Sequence, residues 1–242
     1  MNPFRLASLA AIITAASALA ISAVIAEPPA KAPAAPAATH PDSAKWEPLF
    51  NADLSNADFK AGVWTVTDGV MTASADEAIY SKVDYENFTL DLEFKTADGT
   101  NSGVVVYATD TKNWIPNSVE IQIADDFSPK WSKEPRTWQC AAVFGRLAAV
   151  ESVVKKPGEW NRMTVTCSGK HITVALNSKL VTDMDMAKWT SAKKNPDGTD
   201  IPSWLSRPLA EMATKGRVGL QGKHADALVW FRNVRIKAEA AR

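Results

Sequence analysis

Apolar and polar residues alternate one for one along Phe88-Thr89-Leu90-Asp91-Leu92-Glu93-Phe94-Lys95, and this segment constrains the fold more tightly than any other. A strand turns successive side chains to opposite faces, so Phe88, Leu90, Leu92 and Phe94 enter a core while Asp91 and Glu93 meet water. Related segments fill the rest of the body. Trp64 to Thr67 and Val70 to Thr72 flank an Asp68-Gly69 turn, the signature of a hairpin. Gly103 to Tyr107 follows Asp98-Gly99, and Met163 to Cys167, His171 to Leu176 and Lys179 to Val181 are joined through Ser168-Gly169-Lys170 and Asn177-Ser178. Arg217 to Gln221 and Val229 to Lys237 complete the series. Beyond the N-terminal region no segment carries a helical apolar stripe over three turns. Short helical turns are expected only near residues 184–189 and 209–212. Many short strands without crossover helices specify an all-β fold, a two-sheet antiparallel β-sandwich.

The N-terminus reads differently. Arg5 precedes an apolar, small-residue run from Leu6 to Ile25, and Val24-Ile25-Ala26 is an acceptable exit, so residues 1–26 form a secretory signal peptide. The small-residue exit favours cleavage over a retained anchor and predicts an exported protein, periplasmic or extracellular, with no membrane insertion once the signal is removed. Residues 27–45, dominated by Pro and Ala, have nothing to bury and form a disordered spacer. Residues 46–242 make one domain. The 27 basic and 27 acidic residues of the whole chain balance without a basic run, which argues against nucleic acid as a partner.

Cys140 and Cys167 are the two cysteines. In an exported chain a lone pair favours a disulfide, here closing the loop 140–167 for roughly 3–4 kcal/mol of chain entropy. The alternative is a pair of buried thiols acting as small apolar side chains. No structural zinc site has ligands at useful spacing.

Motifs for nucleotide, zinc or serine-nucleophile chemistry are absent. The chemistry-bearing residues lie instead on two segments, Ser118-Val119-Glu120-Ile121-Gln122-Ile123 and Gly219-Leu220-Gln221-Gly222-Lys223-His224. Alternation sends Val119, Ile121 and Ile123 inward and turns Glu120 and Gln122 to a wet face. A carboxylate, amides, a histidine and nearby indoles suit a sugar-like ligand. Asn101 and Arg232 are further polar candidates, and Trp189 and Trp204 stand in a long polar segment, residues 187–207, able either to cover a site or to pin their own loop. Asp125 and Asp126 could hold calcium or another divalent ion, although no ligand spacing requires a cofactor.

Taken in order, Leu49-Phe50-Asn51, Trp64-Thr65-Val66 with Asp68-Gly69, Tyr85-Glu86-Asn87-Phe88, Asn101-Ser102-Gly103, Val119-Glu120-Ile121-Gln122-Ile123, Lys156-Pro157-Gly158-Glu159-Trp160-Asn161, Gly219-Leu220-Gln221 and Phe231-Arg232-Asn233-Val234 resemble the 3-keto-disaccharide hydrolase domain family, formerly a domain of unknown function. The resemblance runs from about Trp46 to Ile236. It implies a concanavalin-like (LamG-like) jelly roll with a concave ligand groove, lined here by Glu120, Gln122, Gln221 and His224, with Asn101 and Arg232 nearby. It also implies a hydrolase acting on 3-keto-glycosides or 3-keto-disaccharides. Two departures stand out. Asn177-Ser178 replaces the family's Asn-Gly, where glycine better suits a positive-φ turn, and Gly222-Lys223-His224 stands where many relatives have Asp-His-Gly.

A C3 ketone acidifies the hydrogen at C2, so cleavage can run by proton abstraction, elimination at C1 and hydration. On this reading Glu120 is the base and His224 the acid or enolate partner, while Gln122, Gln221, Asn101, Arg232, Trp189 and Trp204 bind substrate. A separate sugar 3-dehydrogenase would supply the ketone. The rival readings are a non-catalytic carbohydrate-binding module and an ordinary glycosidase with two carboxylates.

Overall fold

A computed structural model describes residues 40–224 and 226–239 of the 242-residue chain. The strands run β1 Glu47–Pro48, β2 Ala57–Asp58, β3 Trp64–Thr67, β4 Val70–Ala73, β5 Ile79–Tyr85, β6 Phe88–Thr96, β7 Asn101–Ala108, β8 Val119–Ala124, β9 Trp160–Ser168, β10 His171–Leu176, β11 Lys179–Asp185, β12 Gly216–Leu220 and β13 Val229–Ala238. They form two antiparallel sheets. The eight-stranded sheet has the order β11-β10-β9-β6-β13-β4-β3, with β1 added beside β13, and the five-stranded sheet has the order β2-β5-β12-β7-β8. This is the expected sandwich, matching a jelly-roll-like fold. Helix is limited to single 3-10 turns, among them Met186–Lys188 and Leu209–Glu211 where helical turns were expected.

Alternation builds the core as the sequence requires. Phe88, Leu90, Leu92 and Phe94 of β6 are fully buried against Val104 and Val106 of β7 and Ile121 and Ile123 of β8. Each such side chain contributes about 1.5–3 kcal/mol of transfer free energy. One strand escaped the sequence reading. β5 is buried over its first three residues and open over the next three, and a register shift in β12 between Arg217 and Gly219 accompanies that break. A strand that changes its pattern halfway offers no clean period of two. In the opposite sense, β12 ends at Leu220, and residues 221–224 rejoin the sheet only through a bridge between His224 and Asn101.

The signal peptide and most of the spacer lie outside the described residues. The end of the spacer does not, and it is packed. Ser178 N donates to His40 Nε2 at 2.8 Å, His40 Nδ1 lies 2.8 Å from Thr164 Oγ1, and Arg162 Nη2 donates to Pro41 O at 2.7 Å. Beneath this strap Asp91, expected on a wet face, is buried and paired with Arg162 at 2.8 Å while accepting from Thr164 Oγ1. Buried charge persists only when paired and hydrogen-bonded, and Asp91 meets both conditions. The composition break at residue 46 therefore falls after the packing begins.

The disulfide expectation is overturned. Cys140 and Cys167 are free and buried. Cys140 lies in the segment that runs beside β8, not in a strand, and donates its backbone N–H to Asp126 at 2.9 Å. Cys167 sits in β9, between Phe88 of β6 and Ile172 of β10. Both serve the core as small apolar side chains, and burial pushes both thiols well above their ordinary range. Unfolding without reductant should therefore expose two alkylatable thiols, neither reactive in the native protein, as read by intact mass. The Asn177-Ser178 turn yields a second expectation. Both residues are left-handed, with φ of 48° and 69°, a conformation that disfavours serine by roughly 1 kcal/mol. Ser178→Gly should stabilise the fold by a few tenths to about 1 kcal/mol in denaturant titration, since glycine's greater unfolded-state entropy offsets part of the gain.

Candidate functional site

Register assembles the site on the outer face of the five-stranded sheet. Directly opposed residues of antiparallel strands share a face, and Glu120 opposes Val105, Val105 opposes Gly219, Gly219 opposes Tyr80, and Tyr80 opposes Asp58. The row continues past the edge strand. Ile121 bridges Val143, and both enter the core, so Phe144, whose N–H donates to Glu120 O at 2.9 Å, falls on the Glu120 side. One step along, Gln122 opposes Gly103, and Gln221 follows, its N–H donating to Gly103 O at 2.9 Å. Two glycines make room in these rows. A Cβ at Gly103 would strike the Glu120 carboxyl, and one at Gly219 would lie 2.5 Å from the Tyr80 ring and from Ile79 O.

Glu120 is half-buried, its carboxyl crowded by the surrounding protein, and it has no hydrogen-bond or ion-pair partner among the described residues. Burial pushes it up to about 8, and the Asp76 charge adds to the shift. On the same face are buried polar atoms with no partner among the described residues: Tyr80 Oη, Gln122 Oε1 and Gln221 Oε1. Such atoms in a native site call for an explanation, and a ligand is one. The Tyr80 phenol is held in its neutral form, above its ordinary range, first by burial and then by the charges of Glu120 and Asp110. Gln122, expected on a wet face, is instead fully buried, although on the side opposite Ile121 and Ile123, and its Nε2 donates to Asn101 Oδ1 at 2.7 Å. His224 Nδ1 lies 2.6 Å from Asp76 Oδ2. A cavity of about 550 Å³ has Tyr80, Gln221, Asp76 and Trp114 in its walls, while Glu120 lines a separate one of about 20 Å³ with Phe144 and Arg146.

The sequence-derived residues thus divide. Glu120, Gln122, Gln221, Asn101 and His224 come together on one sheet. Arg232 does not join them. Phe231 enters the core, so Arg232 projects from the outer face of the eight-stranded sheet, where its Nε donates to Glu93 Oε2 at 3.0 Å and its guanidinium covers the Trp160 ring at 4.0 Å. Trp189 is likewise removed from the face: it is buried and its Nε1 donates to Asn195 Oδ1 at 2.9 Å, so it pins its loop. Trp204 is 50% exposed and stands edge-on to Trp138 at 5.9 Å, which in turn packs on Phe144 at 5.2 Å. That places it at the β8 end of the row. The 187–207 segment is fixed rather than loose, since Arg146 Nη2 donates to both Leu205 O and Arg207 O at 2.8 Å.

The acidic pair past β8 is occupied with backbone. Asp125 accepts from Gly99 N and Phe127 N, and Asp126 accepts from Cys140 N and Ser152 Oγ. Among the described residues no group of three or more His, Cys, Asp or Glu side chains could hold a metal ion. Tyr80, Asp76 and Trp114 were missed from the sequence. Tyr80 belongs to the strand with broken alternation, and the other two lie in loops that only the tertiary fold brings to this face.

Comparisons with known proteins agree with this architecture. The chain is 61% identical to a Parabacteroides distasonis ATCC 8503 protein assigned to the glycosyl hydrolases, over 81% of this chain and 100% of that one, with a TM-score of 0.79. A second structure from the same organism shares the fold at 21% identity and a TM-score of 0.65, over 79% of this chain and 93% of that one. A 3-keto-disaccharide hydrolase of Bacteroides thetaiotaomicron is 26% identical over 172 residues, which span 63% of this chain and 59% of that protein. No helix among the described residues is long and apolar enough to cross a membrane. The 3-keto-alpha-glucoside-1,2-lyase-like domain matches residues 45–237, and the chain belongs to that family.

Proposed function

We propose that the domain cleaves glycosides already oxidised to a ketone at C3, with Glu120 as the base that removes the C2 proton. The observation that carries this reading is the state of Glu120: half-buried, unpaired among the described residues and raised to about 8. A salt-bridged strand carboxylate would be paired and held low. A carboxyl tuned upward is a stronger base once ionised, and it sits on a strand that fixes its aim.

The steps balance as follows. Glu120 takes the C2 proton, and the electron pair moves into an enolate whose charge rests on the C3 oxygen. That charge returns to expel the C1 oxygen substituent, which leaves with a proton from His224. Water then adds its hydroxyl at C1 and a proton at C2, giving net hydrolysis. The Tyr80 hydroxyl, neutral and without a protein partner, is suited to donate to the C3 oxygen as charge develops there. The Gln122 and Gln221 amide oxygens are suited to accept from sugar hydroxyls. The substrate class comes from the family and from the Bacteroides relative's name. Export, and a partner sugar 3-dehydrogenase, belong to the same proposal.

Three outcomes are expected. On a 3-keto glucoside, kcat/KM should rise about tenfold per pH unit on the acid side and level off above an ionisation near 8, because the base works only when deprotonated. Glu120→Gln should lower turnover about 100-fold or more while substrate binding survives. A variant that keeps its turnover removes Glu120 from the mechanism. The third outcome needs no substrate. The unfolded chain releases the Glu120 proton near the ordinary value of 4.5 and the folded chain only near 8. Between those values the fold binds the extra proton, so the wild type loses stability relative to Glu120→Gln as pH rises. The Tm difference in favour of the variant should therefore grow across this window and become constant above it.

A further inference from the structure

We infer that Asp76 is a positioning residue: it accepts from His224 Nδ1–H and so leaves Nε2 of that ring free as the second proton carrier of the site. This deepens the proposed function and rests on its assignment of His224. The contact is built into the backbone. Gly222 lies so close to the 75–77 segment that a Cβ there would stand 2.5 Å from both Ala75 O and Glu77 O. Lys223 N donates to Ala75 O at 2.9 Å and His224 N to Gly222 O at 3.0 Å. Only glycine allows this approach, and the approach delivers the Asp76 carboxylate to within 2.6 Å of His224 Nδ1.

Stability gives the pair little reason to exist. Both side chains are about half exposed, at 49% for Asp76 and 44% for His224, and exposed ion pairs contribute little. Orientation is a better account. An imidazole whose Nδ1 proton is held by a carboxylate presents Nε2 as its working atom, and the bond fixes both tautomer and ring direction. Asp76 also lines the cavity that Tyr80 and Gln221 border, and its charge reaches Glu120. One carboxylate thus acts on both proposed proton-transfer groups. The other ionisable groups about them are Tyr80, Asp58, Asp110, Lys112, and Glu77 with its partner Lys60 at 3.0 Å.

The test is Asp76→Ala, alone and combined with His224→Ala, in the full mature chain. Nitrogen-15 NMR of the His224 ring should show the proton on Nδ1 in the wild type and a shift toward Nε2–H in Asp76→Ala. Thermal melting should change little. Turnover of a 3-keto glycoside with a poor leaving group should fall about tenfold or more, and the double variant should be no slower than His224→Ala, as expected of residues acting as one unit. The acid limb of kcat/KM should move to lower pH in Asp76→Ala, since a negative neighbour of Glu120 has gone. An unchanged tautomer, or additive losses in the double variant, overturns the inference. The NMR readout needs no substrate, so a protein inactive on every 3-keto glycoside defeats the proposed function while the Asp76–His224 arrangement is still decided by the ring's tautomer.

Discussion

The register of the five-stranded sheet is the constraint on which the rest of the structure depends. Ile121 and Ile123 must face the core, and that requirement alone turns Glu120 and Gln122 outward. A slip of one residue would exchange the two sets. The pairing with β7 then brings Gly103 and Val105 alongside, and β12 and β5 extend the rows to Gly219, Gln221 and Tyr80. Packing and site geometry are therefore decided by the same set of backbone hydrogen bonds. Placing the reactive groups on paired strands rather than loops gives them the rigidity of the sandwich.

That arrangement has an energetic cost. A desolvated carboxyl, together with buried amide and phenol oxygens, all without a partner among the described residues, disfavours the folded state. The two-sheet core carries this burden, with side chains such as Phe88, Leu90, Phe94 and Tyr107 fully buried. Polar strain of this kind concentrates where a fold has been kept for a task other than its own stability. The far side of the molecule offers the contrast: there Asp91, Glu93, Arg162 and Arg232 are paired throughout.

How much was legible in the sequence follows from how local each signal is. Strict alternation in β6 and β8 identified the core-facing side of each strand, and the face on which Glu120 stands, because a period of two needs no tertiary information. The Arg232 assignment failed for the complementary reason. Alternation identifies a face of a strand but not the sheet to which the strand belongs, and β13 pairs with β6 in the other layer. Tyr80 was lost where β5 breaks its pattern, and Asp76 because a loop aspartate carries no period at all. The cysteines show the limit of compartment arguments: a pair in one domain says nothing about whether the fold brings the two together. Trp189 and Trp204, alike in the sequence, were separated only by packing, one sealed inside its loop and the other left half in water.

The strap formed by residues 40–45 crosses the outer face of the eight-stranded sheet, bound through His40, Pro41 and Ser43. The proposed site opens from the outer face of the opposite sheet. The described chain therefore begins at the back of the domain. The strap and the groove thus load opposite sheets, and a change in the strap's contacts leaves the walls of the groove untouched.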